Sequence, residues 1–321
     1  MFVGIYFGVL IACIVAPFIS AFNHRVHRGL TFCEANPLIR HMNRTKIVEL
    51  ENNEWSAWDD TLLDRVMKIS NTLGRGNSLF LTEKWPHHPL HGGDECGFNV
   101  AGKNSSGVVA GVVEGINNLV YPMEHLLPCP SPLKRFGEGF QGDTGKLLCE
   151  ADMLFSLPNC VIYSLGSNNQ WEFEKAISDA TRTCKVFTFD CTSNPPPSPI
   201  PGVQFEKVCM GERNEFKDGR QYYTLSHLME MHGHEAVQLL KMDIEGFEMY
   251  VFNEMLTVPF SKKLPYQISV ETHCWHFNAA MALQHLALFQ RLSMAGYRFV
   301  SRENNEQCPS CNEHTMIRVY C

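Results

Sequence analysis

No long run of lysine or arginine occurs in the 321 residues, and 34 acidic against 27 basic side chains leave a formal net charge of −7. A nucleic-acid surface needs a basic patch to neutralise phosphates, so the balance argues against nucleic acid and fits a small-molecule or glycan partner better. The turn SLGSNNQWEFE has one glycine and lacks the GxGxxG repeat, so it is no dinucleotide loop in its usual form. The CxxC of QCPSCNE, Cys308 and Cys311, has no second pair with which to complete a zinc site. That leaves a local disulfide or a tether for the tail, which ends at Cys321. Charge is also missing from the first 22 residues, MFVGIYFGVLIACIVAPFISAF.

That opening segment is as long as the roughly 20 apolar residues that cross a bilayer. It predicts a signal anchor over 1–22, in preference to a signal peptide, because Ile19 makes a poor cleavage context before Ala21. Arg25 and Arg28 alone would keep the following side cytoplasmic. Against them stand 13 cysteines and the sequons at Asn43 and Asn104, which suit a disulfide-bonded glycoprotein in an oxidising compartment. The expectation is a chain bound to the membrane through its N-terminal segment in the secretory pathway, in the Golgi or ER lumen, or secreted if the segment is cleaved.

What is present is a core. At 45% hydrophobic, the chain can bury one large α/β domain with additions. Residues 23–132 are rich in His, Asn, Gly and Pro and predict a stem with an irregular cover. Within them, WSAWDDTLLDRVMKISNTL has helical spacing, with Ser56 as a possible cap. HHPLHGGDEC carries His87, His88, His91, Asp94 and Cys96, which suit zinc by type but lack the paired spacing of a site.

Residues 133–321 read differently. CVIYSLG, KVFTFD, VQFEKVCM, VQLLKMD, QISVETH, YRFVSREN and HTMIRVY are strand-like. Between the earlier ones lie helical WEFEKAISDATRT and TLSHLMEMHGH, the second opened by Thr224, and a third helix, AAMALQHLALFQRLSMAG, is stopped by Gly296. The alternation predicts a seven-stranded, mainly parallel α/β sheet, and the last two strands, joined without a helix, an antiparallel pair at its edge.

In such a sheet, ligands bind beyond the carboxyl ends of the strands. Three ends carry suitable groups. In SLGSNNQWEFE, Gly166 permits a tight turn, and Ser167, Asn168 and Asn169 can present amides or cap the next helix. Asp190 closes the second strand, where a carboxylate can take two ribose hydroxyls or cap a turn. LLKMDIEGFEMY brings Asp243 to a strand end, with Gly246 in the turn, while Glu245 and Glu248 suit the start of a helix. Glu271 and His273, two apart on the neighbouring strand, share a face with one another. These acids read as one wall of a site.

VIYSLGSNNQWEFE, KVFTFD, LLKMDIEGFE and QISVETH together resemble the FkbM-type S-adenosylmethionine-dependent methyltransferases and related animal methyltransferase-like proteins, over residues 133 to 320. RFGEGFQGDTGKLLCE resembles the segment before their first strand, with Asp143, Gly145 and Lys146 in place and Thr144 where the group has glycine. The resemblance implies a Rossmann-like methyltransferase sheet with S-adenosylmethionine as cofactor. Gly166, Ser167, Asn168, Asp143 and Lys146 would contact it, and Asp190 would hold its ribose. Asp243, Glu271 and His273 would face the methyl group and the acceptor, with Glu245 beside them. His273, an imidazole that titrates near neutrality, would take the proton of a hydroxyl acceptor, which makes O-methylation of a glycan or small molecule the expected reaction. A metal-dependent glycosyltransferase using Asp243-Ile244-Glu245, and a methyltransferase fold kept as a non-catalytic binding module, are the alternatives. A metal ion held by Asp243, Glu271 and His273 ranks below them, and no metal ligand is assigned.

Overall fold

The computed structural model of the chain describes residues 31–51, 68, 127–138, 145–257, 264–273, 279–304 and 311–321. Strands β3 (Val161–Leu165), β4 (Lys185–Phe189), β5 (Val203–Glu206), β9 (Leu239–Met242), β10 (Gln267–His273), β11 (Tyr297–Asn304) and β12 (Cys311–Arg318) form one seven-stranded sheet, in the order β11-β12-β10-β9-β3-β4-β5. Strands β5, β4, β3, β9 and β10 are parallel, and β10, β12 and β11 run antiparallel, which is the sheet that the alternation of segments predicts. The chain grows outward from β3 to β5 and then returns to lay β9 against the other side of β3, so the order reverses between β3 and β9. That reversal is where a doubly wound sheet opens a crevice.

The middle strands are apolar nearly throughout because both of their faces are covered. Alternate side chains serve the two layers. Tyr163, Leu165, Leu240, Met242, Ile268 and Val270 pack toward α4 (Leu225–Met231), α5 (Glu248–Met255) and α6 (Ala279–Met294), through residues such as Leu228, Phe252 and Phe289. Ile162, Val186, Leu239 and Ile317 face α2 (Ala151–Ser156) and α3 (Glu172–Ala180), where Leu154, Phe173 and Ile177 meet them. The second layer also takes in Leu38 and Ile39 of a 3-10 turn (Pro37–His41) and Ile47 and Leu50 of α1 (Arg44–Leu50). Asn36 locks this segment down: buried, it donates to the carbonyls of Tyr266 (3.1 Å) and Arg318 (2.8 Å) and accepts from the Leu38 amide (3.0 Å).

Local signals hold where the chemistry is local. Thr224 caps α4 by accepting from the His227 amide at 3.1 Å. Gly296 ends α6 at φ +92°, where a Cβ would stand 2.0 Å from the Tyr320 carbonyl oxygen. Three features depart from expectation. VQFEKVCM breaks into β5 and β6 (Cys209–Met210), and β6 joins β8 (Arg220–Tyr223) and β7 (Glu215–Lys217) in a separate three-stranded sheet. A hairpin of β1 (Lys134–Phe136) and β2 (Lys146–Leu148) precedes the main sheet. Trp171 rather than Ser167 or an asparagine stands at the N-cap of α3, without a side-chain cap.

Disulfides join Cys33 to Cys321, Cys129 to Cys149, Cys160 to Cys184 and Cys191 to Cys209. The first spans 288 positions and ties the tail to the start of the described chain. Cys311 is also disulfide-bonded. The predicted helix WSAWDDTLLDRVMKISNTL, apart from Lys68, and the HHPLHGGDEC segment lie outside the described residues. The membrane expectation is corrected: among the described residues no helix is long and apolar enough to cross a membrane. Residues 1–22, on which it rested, lie outside them, so the anchor, the membrane partner and the membrane-anchored secretory location are not carried further.

Candidate active site

Strand β3 delivers the chain to Gly166, whose φ of +81° and position make it irreplaceable: a Cβ there would sit 1.8 Å from the Asp243 carbonyl oxygen. The Gly166 amide donates to Phe189 O (3.0 Å), the Asp243 amide to Leu165 O (2.9 Å), and Lys241 Nζ to the Gly166 carbonyl. The turn is thereby pinned between β4 and β9. Asn168 and Asn169 continue it in left-handed conformation, at φ +47° and +59°, which asparagine tolerates better than most residues.

Asp190 closes this half of the site. Its Oδ2 accepts from the Ser167 amide (2.8 Å) and hydroxyl (3.2 Å), the Asn168 amide (3.0 Å) and Ser193 Oγ (2.7 Å). Its Oδ1 accepts from the Thr192 amide and hydroxyl (both 2.7 Å) and the Ser193 amide (3.0 Å). Burial pushes this carboxyl up, but the hydrogen bonds from Ser193, Ser167 and Thr192 outweigh it and hold the group well below the usual carboxylate range.

The other half is built of charges. Lys146 of β2, 0% exposed along its side chain, places Nζ 3.1 Å from Asp243 Oδ2, 3.6 Å from Glu271 Oε2 and in direct contact with Glu313 Oε1. Burial lowers its pKa, yet Asp243, Glu313 and Glu271 together keep it well above the ordinary lysine value. Glu271 and Glu313 face each other in the antiparallel β10–β12 register. His273 is held by Glu248, whose Oε1 lies 3.0 Å from Nδ1 and also accepts from the Ile244 amide, while Oε2 accepts from the Gly246 amide (both 2.9 Å). Because a carboxylate accepts, the Nδ1 proton is the donor, and Nε2 turns toward Glu245 Oε2 (3.6 Å), Asp243 Oδ1 (3.8 Å) and Glu271 Oε1 (4.0 Å). Burial lowers the imidazole pKa, but Glu248, Glu271 and Asp243 raise it well above its ordinary value. Glu245, in left-handed backbone at φ +58°, is pushed up to about 7 by burial and by Asp243, Glu248 and Glu271, against the pull of His273.

Asp243, Glu271, His273 and Lys146 thus meet in one cluster, and Gly166, Ser167, Asn168 and Asp190 form the turn beside it. Asp143 lies outside the described residues. Sequence reading missed two members. Glu248 looked like a helix-start acid and also orients His273. Glu313 carries no motif, and only the β10–β12 pairing brings it in.

A family model described as a methyltransferase domain matches residues 122–318, well over half of the chain. The chain belongs to this methyltransferase family. Membership places it in the S-adenosylmethionine-dependent methyltransferase-like superfamily, a broader assignment than the FkbM type, and leaves the glycosyltransferase alternative without support. No curated protein matches in sequence. Among solved structures, this methyltransferase-family chain is similar to a Methanococcus jannaschii fibrillarin pre-rRNA processing protein (8% identity, 55% of this chain and 71% of that one, TM-score 0.36). Others are a ribosomal protein L11 methylase from Lactobacillus delbrueckii subsp. bulgaricus (9%, 53% and 77%, TM-score 0.29) and a Burkholderia thailandensis 1,6-didemethyltoxoflavin-N1-methyltransferase (9%, 53% and 76%, TM-score 0.29). Similarities this low say nothing about substrate.

The residues meet the two ends of S-adenosylmethionine unequally. Glu245, whose side chain is 45% exposed, can accept from an ammonium, which suits the amino-acid end, whereas Lys146 is enclosed by Asp243, Glu271 and Glu313. At the nucleoside end, Asp190 has both oxygens engaged, and the Asn169 amide is taken by Ser193 Oγ at 2.9 Å. In this structure Asp190 serves the turn rather than offering a free acceptor to a ribose.

Proposed function

We propose that the chain is an S-adenosylmethionine-dependent O-methyltransferase, akin to the FkbM-type enzymes, that acts on a hydroxyl of a glycan or small molecule. The observation that carries this reading is the convergence of Asp243, Glu271 and His273 beside the Gly166 turn, at the switch point of a methyltransferase-family sheet. The bound cofactor supplies an activated methyl group. The chain's part is chiefly alignment, because an in-line displacement depends on the placement of its two partners. Asp243 and Glu271 accept hydrogen bonds from the acceptor, and the hydroxyl proton passes to the carboxylate of Asp243, beside the protonated ring of His273. Lys146 balances the carboxylates so that they can stand together. Gly166, Ser167 and Asn168, with Asp143 earlier in the sequence, belong to the cofactor side, on which Asp190 acts through the turn.

Calorimetric titration of S-adenosylhomocysteine into the full chain, with transfer of labelled methyl to a panel of hydroxylated sugars, tests the proposal. Binding and transfer are expected. His273→Gln should lower kcat by about 100-fold or more while leaving S-adenosylhomocysteine affinity within about threefold. A chain that does not bind S-adenosylhomocysteine is no methyltransferase, and the non-catalytic module would then stand.

A further inference from the structure

The carboxylates around Asp243 fall into two sets. Asp243, Glu271 and Glu313 bring their oxygens within 4.8 Å of one another, and the ammonium of Lys146 fills that space. Asp243, Glu245 and His273 make a second set of the same tightness. The two sets divide Asp243 between them, Oδ2 turning to Lys146 and Oδ1 to His273. A third set, Glu271, His273 and Cys311, is ruled out because Cys311 is disulfide-bonded.

We infer that Asp243, Glu245 and His273 bind a divalent cation through Oδ1, Oε2 and Nε2. The imidazole nitrogen stands 3.6 Å from Glu245 Oε2 and 3.8 Å from Asp243 Oδ1, longer than a hydrogen bond. Ligands on one metal ion at about 2.0–2.2 Å sit roughly 3.0–3.6 Å from each other, so a small contraction closes the set. Glu248 holds Nδ1 at 3.0 Å, as a ligating histidine requires of the group behind it: the second nitrogen is fixed and the ring is aimed. The Glu245 side chain is 45% exposed and that of Asp243 18%. Two carboxylates and one imidazole suit manganese(II).

Binding of the cation does not depend on the methyltransferase reading, but its use does. There, the hydroxyl oxygen of the acceptor would become a further ligand and be polarised, with His273 acting as ligand. The test is a titration of metal-free full chain with Mn²⁺ alone, followed by electron paramagnetic resonance. One Mn²⁺ per chain is expected, and Glu245→Gln or His273→Gln should weaken it at least tenfold. Glu206→Gln, which removes the remote carboxylate beside His232, should leave it unchanged. Near-UV circular dichroism reports whether each variant is folded; Glu245, half exposed, decides the matter if the His273 variant is not. No binding at millimolar Mn²⁺, or equal binding by Glu245→Gln, overturns the inference. S-adenosylhomocysteine calorimetry on the same samples separates the two ideas. Manganese without the nucleoside keeps the cation site and removes the methyltransferase, and the nucleoside without manganese does the reverse.

Discussion

Asp190 and Asp243 both follow a parallel strand of the same sheet, two strands apart, and their surroundings have almost nothing in common. Asp190 is enclosed by the amides and hydroxyls of Ser167, Asn168, Thr192 and Ser193, all neutral donors within a few residues of the two turns it joins. Asp243 is surrounded by side chains from β2 and β10, and these carry charge. A carboxylate satisfied by local dipoles is stable and chemically spent, whereas one balanced against other charges changes with every proton, ligand or cation that arrives. One strand end therefore braces the crevice, and the other is left to react.

Removing the balancing charge should have the largest effect on that contrast. Lys146→Met leaves Asp243, Glu271 and Glu313 without their buried partner, and breaking such a pair costs about 3–5 kcal/mol. Urea unfolding at pH 7 should show the loss. Deprived of the lysine, these carboxyls titrate above their unfolded values, so the folded state binds more protons than the unfolded one and the penalty should grow as pH rises. An equal loss at pH 5 and pH 8 would mean that Lys146 acts by packing alone.

The next effect belongs to the bracing side. Asp190→Ala strands several buried donors and should cost about 3 kcal/mol, again by urea unfolding, with weaker S-adenosylhomocysteine binding as the turn loosens. A stable variant that merely fails to bind would restore Asp190 to a direct ribose contact.

The smallest effect is a pH limb. The folded pKa of Asp190 is depressed, so its contribution is fully present above the unfolded value near 4 and is lost as pH falls toward the folded one. Wild-type stability should fall by about 1 kcal/mol from this group between pH 4 and pH 3. Asp190→Asn, less stable at neutral pH, should lack that part of the acid dependence.

Much of this architecture could be read before any coordinates. The apolar segments that became β3, β4, β9 and β10 are legible because strands covered on both faces need unbroken apolar residues. Gly166 was legible because only glycine suits a left-handed turn pressed against another backbone. Glu271 and His273 could be paired from their spacing alone, since alternate residues of a strand share a face. Glu313 could not, because its approach depends on a register between strands some 40 positions apart, and nothing local in NEHTMIR records that register. The split of VQFEKVCM was hidden for a similar reason: Cys209 leaves the main sheet to pair with Tyr222, a partner that no periodicity names.

Taken by itself, the sequence determined the order and type of the main elements, the parallel core with its antiparallel edge, and the acids and histidine that stand at the strand ends, because propensity, spacing and turn chemistry act between near neighbours. The tertiary structure alone decided what each charge meets: Lys146 inserted among three carboxylates, Glu248 turned back onto His273, Asp190 closed in by its own turns. Those outcomes depend on distances between segments far apart in the chain, and the energy of a buried charge is set by such distances.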